Sequence, residues 1–133
     1  MKFQLDISSL ITLARNELWP QEGSVSVYRD REYFFMFSPQ GPIGMFVPSH
    51  AYSGADIYIW EGVPRLFVRP VVVHEIVEAD LRICQNAQGA AHSLARRVDR
   101  LIAKELLSEN DFIKYELFRS QVEFPSYAPH RSP

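Results

Sequence analysis

Residues 71–81 read VVVHEIVEADL, an apolar run that carries His74, Glu75, Glu78 and Asp80. How this run is read decides the fold. Upstream of it apolar residues alternate with a period of two; from Val71 the period becomes 3.6, so strands give way to helices here. On a helix of about 100° per residue, Val72, Ile76, Ala79 and Ile83 share one arc, with Val73, Val77 and Cys84 beside them. His74, Glu78 and Gln85 form a strip along one edge of that arc. Glu75 is rotated off the strip, near Arg82 on the polar side, and Asp80 falls in the middle of the apolar arc.

Working outward, residues 7–18 read as a first helix, with Ser8 or Ser9 as its cap and Pro20 closing it. SVSVYRD and EYFFMF flank a tight turn at Asp30-Arg31 and predict a hairpin. MFVP is a short third strand between the loops SPQGPIG and SHAYSG. ADIYIW alternates, with Ile57 and Ile59 on one face and Tyr58 and Trp60 on the other; RLFVRP follows as a further strand. Beyond Val71 three helices are expected, over about 71–86, 90–107 and 108–121, the last capped by Ser108. This order is α+β: an N-terminal helix, a small, meander-like and mostly antiparallel sheet, then three C-terminal helices. Residues 1–124 form one domain. The three prolines of PSYAPHRSP make residues 125–133 a disordered tail, which sets His130 aside.

The chain has 133 residues, 47% of them hydrophobic and 13% aromatic, enough to bury a core. Its 14 basic and 16 acidic residues leave a net charge of −2, which gives nucleic acid or an anionic membrane no electrostatic purchase. Cys84 is the only cysteine, so no internal disulfide forms and no oxidising compartment is needed. It reads as a small core residue. Asp6 breaks what starts like a secretion signal, and no run approaches the ~20 apolar residues that span a membrane. A soluble, cytoplasmic protein is the expectation, with no membrane and no nucleic acid as partner.

The acids and histidines allow two readings. His74 and Glu78, four residues apart, lie one helical turn from each other and can converge on a single cation. Equally, Glu78 pairs with Arg82 at i,i+4 and His74 is an ordinary half-buried residue. His92 follows in AHSLARRVD, on the flank of a stripe made of Ala91, Leu94, Ala95, Val98, Leu101 and Ile102. A short turn between the two helices can fold His92 back against the first, giving two nitrogen donors, one oxygen donor and an open position, as in catalytic zinc sites. Asp80, buried on the wheel, requires a partner: a loop N–H, a tyrosine hydroxyl or an arginine. Asp80 and Asp99 are the candidates for a carboxylate that holds a ligand histidine from behind. His50, in a loop, is a weaker candidate ligand.

HEIVE resembles the HExxH motif of zincin metallopeptidases, with glutamate in place of the second histidine. The order of ADIYIW before VVVHEIVEADL is similar to the zincin sheet and helix, and the N-terminal helix to their backing helix. The HxxxE spacing followed by AHxxA also resembles uncharacterised phage-encoded or toxin-like bacterial domains over residues 74–99. The zincin resemblance implies one Zn2+, or another divalent metal, held by His74, Glu78 and His92. It further implies that Glu75 is the general base activating the metal-bound water, and that the substrate is a peptide. Glu78 in place of histidine adds negative charge and widens the choice of metal toward manganese or iron. The expected function is a metal-dependent hydrolase of peptide bonds. The alternative is a non-catalytic interaction module that binds a peptide or protein partner, with Tyr33, Phe35, Tyr52, Tyr58 and Trp60 as exposed aromatics to line a groove.

Overall fold

A computed structural model describes the backbone of residues 3–131 and the side chains of residues 3–121. It is α+β, with the elements α1 (Ile7–Arg15), β1 (Val25–Tyr28), β2 (Arg31–Ser38), β3 (Gly44–Pro48), β4 (Ala55–Trp60), α2 (Arg65–Ala79), α3 (Ala91–Leu106) and α4 (Glu109–Arg131). A π-helical turn, Asp80–Cys84, continues α2. The expected tail at 125–133, with His130, lies outside the residues whose side chains are described.

The sheet is mixed and runs β1-β2-β4-β3. β1 and β2 form the expected hairpin, but its two turn residues are Arg29 and Asp30, one position earlier than expected, both at positive φ. Two consecutive positive φ values match the right-handed twist of the flanking strands. The Arg29 side chain reaches Asp80 from this turn. The sheet is not a meander. β4 lies parallel to β2 and antiparallel to β3, which is pushed to the edge. This order lets the most regular alternation, ADIYIW, occupy a central position: Ala55, Ile57 and Ile59 are buried while Asp56, Tyr58 and Trp60 are half-exposed.

RLFVRP is helix, not strand, and α2 begins at Arg65 rather than Val71. Phe67, Val68, Val71 and Val72 are buried at helical spacing, while Leu66 is 49% exposed. Pro70 brings no N–H for the carbonyl of Leu66, which ordinarily weakens a helix interior. Burial outweighs that cost here. α2 packs on β3 and β4 on one side and on α3 on another. From Phe67 to Leu81 every residue except Arg69 is buried. The expected polar side therefore does not exist, and Glu75 is only 3% exposed.

α1 ends at Arg15, three residues short of the expected bound, and its cap is Asp6, whose carboxylate accepts from the Ser9 N–H and hydroxyl. Arg69 donates to the carbonyls of Ala14 and Glu17 at the C-terminal end of α1, where those groups lack helical partners. α4 opens on Ser108 as expected, its Oγ accepting from the Asp111 N–H at 3.2 Å. α3 presents Ala91, Ala95, Val98, Asp99, Ile102 and Ala103 to the interior. Its alanines let the backbone come close to α2, and that closeness positions the site.

Candidate metal centre

His74 projects from the middle of α2 and is fully buried. Its Nδ1 donates to Asp99 Oδ2 at 2.7 Å, and its Nε2 lies 3.0 Å from Glu78 Oε1. Glu75 Oε2 stands 3.8 Å from the same Nε2. Across the α2–α3 contact, His92 Nδ1 is 3.3 Å from Glu78 Oε1, and the two imidazole rings meet edge to face with centroids 5.0 Å apart. One ligand atom from each of His74, Glu78 and His92 thus lies within 4.8 Å of the others. Donors bound tetrahedrally at about 2.1 Å sit about 3.4 Å apart, a spacing that Glu78 Oε1 already keeps to His74 Nε2 and His92 Nδ1. Two imidazole nitrogens and a carboxylate oxygen suit zinc, and manganese or iron as well.

Asp99 is the hub behind His74. Its Oδ1 accepts from the Tyr115 hydroxyl at 2.6 Å and from Arg96, and its Oδ2 forms an ion pair with buried Arg119 at 3.6 Å. Arg119 Nη2 also stands 3.4 Å from His74 Nδ1; since that nitrogen's proton is committed to Asp99, this is an approach of charge rather than a donation. Burial raises the Tyr115 phenol well above its ordinary value, and the charge of Asp99 adds to this, so Tyr115 stays a donor. Fixing one ring nitrogen of a ligand histidine with a carboxylate sets its tautomer and makes the other nitrogen a better donor to metal.

Burial pulls the His74 pKa down. The bonds to Asp99 and Glu78 and the charge of Glu75 outweigh it, so the imidazole is pushed up to about 9. Burial likewise pushes Glu78 up, but its bonds to His74, His92 and Arg82 win and hold it well below the usual carboxylate range. His74 is therefore held as an imidazolium between the Asp99 and Glu78 carboxylates. A cation that displaces the Nε2 proton takes over an environment already arranged for positive charge.

Of the predicted residues, His74, Glu78 and His92 converge, Glu75 stands beside them and Asp99 behind. Asp80 is buried but serves elsewhere: it accepts from Arg29 at 2.9 and 3.1 Å and from Gln85 at 2.8 Å, tying the hairpin turn to the end of α2. His50 is exposed in its loop and does not belong to the group. Cys84 is half-buried, and burial raises its thiol pKa, in keeping with a packing residue. Tyr115, Arg119 and Arg96 were not foreseen. The signal for the first two is a stripe of Phe112, Tyr115, Phe118 and Arg119 on α4, in which a charged residue takes a core position.

The centre is nearly closed. The side chains of His74 and Glu78 are 0% and 6% exposed, against 35% for His92, so access is from the His92 side. A groove of about 960 Å³ between the α1–β1 loop and the ends of α2 and α3 contains none of these residues. Among the described residues no helix is long and apolar enough to cross a membrane. Comparison with known proteins finds no matching family model, curated protein or solved structure.

Proposed function

We propose that this chain is a one-metal protein whose centre is His74, Glu78 and His92, and that its chemistry is metal-dependent hydrolysis, with peptide bonds as the substrate class. The observation that carries the metal reading is the convergence of the three donors with Asp99 bonded behind His74. A surface cluster of like charge rarely brings such a backing carboxylate with it. The hydrolytic reading rests on Glu75, whose Oε2 lies on the Nε2 side of His74. A carboxylate there is placed to take a proton from an attacking water, while a divalent cation polarises the scissile carbonyl. The HEIVE resemblance to zincins supports the same assignment.

One observation favours a second reading. Glu75 is 3% exposed, and only His92 opens to solvent, which leaves a substrate a narrow approach. On that reading the metal fastens α2 to α3, and the protein acts through binding alone. Glu75→Gln separates the two. Loss of hydrolysis of a peptide library with the metal retained supports catalysis; an absence of hydrolysis in the metal-loaded parent leaves the binding role.

A further inference from the structure

The outward face of the sheet carries side chains that the metal centre does not use. α2 packs on β3 and β4, and α1 on β1, on the side bearing Tyr28, Phe35, Ile57 and Ile59. On the other side the register sets Asp56 between Phe34 and Val47, and Tyr58 between Met36 and Met45. Val25 continues the first row beside Phe34, whose ring stacks on Tyr52 with centroids 5.4 Å apart. Val25, Val27 and Met45 are exposed; Phe34, Met36, Val47, Asp56 and Tyr58 are half-exposed. A contiguous apolar patch on four strands marks an interaction surface, and tyrosine, phenylalanine and methionine are enriched at the centres of such surfaces.

The charges select the occupant. Within the four strands the charged side chains on this face are Glu32 and Asp56, both acidic. Asp56 sits on a central strand between apolar neighbours, and no described hydrogen bond or ion pair engages its carboxylate. A wholly apolar cover would strip it of water at a cost; a cover that brings a cation offsets that cost. A second copy of this face would set Glu32 and Asp56 against themselves, and nucleic acid or an anionic membrane is repelled in the same way.

We infer that the outward sheet face, centred on Asp56 and Tyr58, docks a basic amphipathic segment of a protein partner. Its apolar side chains cover Phe34, Met36 and Tyr58, and a lysine or arginine pairs with Asp56. The inference is independent of the metal centre, which lies on the opposite side of the sheet.

The test uses the full chain and two labelled peptides, one alternating leucine with lysine and the other leucine with glutamate. Binding is read by fluorescence polarisation at physiological ionic strength, and the site is mapped by hydrogen exchange. The lysine peptide is expected to bind at least ~10-fold more tightly, a difference within reach of close charge pairs, and to protect residues 33–37 and 55–60. Asp56→Lys should reverse the preference, and Asp56→Asn should remove most of it. Asp56 is half-exposed, so far-ultraviolet circular dichroism of both variants should match the parent. Equal binding of the two peptides, protection elsewhere, or an unchanged preference in Asp56→Lys would overturn the inference. So would a dimer in sedimentation whose outward face is protected without peptide.

Discussion

Asp99 Oδ2 stands 2.7 Å from His74 Nδ1, with both side chains fully buried. A bond of this kind between α3 and α2 fixes the ring plane of His74 and aims Nε2 at Glu78. It predicts that Asp99→Asn keeps the fold but weakens metal affinity by about 10–100-fold, as for other carboxylates that support ligand histidines. Competition with a chromogenic zinc chelator measures this. Asp99→Ala removes the acceptor of Tyr115, Arg96 and Arg119 together and is expected to cost about 3–5 kcal/mol, as when a buried ion pair loses one partner.

Gly44, at the start of β3, predicts how Glu75 is held. A Cβ at this position would lie 2.8 Å from Glu75 Oε2 and 2.9 Å from Glu75 Cγ. Gly44→Ala is therefore expected to displace the carboxylate and to destabilise by about 1–3 kcal/mol, the usual range for overpacking. In a Glu75→Ala background the same change should cost much less. Denaturant unfolding of the four proteins closes this cycle, and equal costs in the two backgrounds would show that Glu75 does not rest on Gly44.

How far the sequence reaches is clearest on α2. The alternation of ADIYIW and the i,i+4 spacing of His74 and Glu78 are local, and both appear in the structure. The passage from strand to helix appears too, but at Arg65 rather than Val71. Glu75 was misplaced because a helical wheel assumes one wet side, whereas α2 lies between the sheet and α3. The start of α2 was missed because RLFV has a strand-like composition and Pro70 reads as a terminator; long-range burial overrode both. The parallel pairing of β2 with β4 depends on contacts between segments far apart in the chain. Arg119 and Tyr115 join the site only because α4 folds back against α3.

Asp80 gives a prediction away from the site. Its carboxylate is fully buried and takes both Arg29 and Gln85. Asp80→Ala leaves these donors unsatisfied and is expected to cost about 1–3 kcal/mol without changing metal affinity. Thermal unfolding with and without zinc separates the two effects.

The acidity of the centre predicts how metal-free stability depends on pH. The His74 pKa rises from an ordinary 6.5 to about 9 on folding, so its contribution is complete below pH 6.5 and is lost as pH climbs toward 9. The Glu78 pKa falls from an ordinary 4.5, so its contribution is complete above pH 4.5 and is lost in acid. The melting temperature of the metal-free protein should thus be highest between about pH 4.5 and 6.5 and should decline on the alkaline side. His74→Gln should flatten that decline. Because the cation must displace the Nε2 proton, zinc affinity should strengthen over the same rise in pH.

The most direct measurement is the metal content of the purified chain and of three histidine variants, read by plasma mass spectrometry after dialysis against buffer containing zinc. The parent is expected to retain about one equivalent, since two nitrogen donors and one oxygen donor converge at spacing suited to one ion. His74→Ala and His92→Ala should retain almost none, while His50→Ala, altered in an exposed loop, should match the parent. Retention of a full equivalent by His92→Ala, or a metal-free parent whose melting temperature is unmoved by zinc or chelator, would contradict the account.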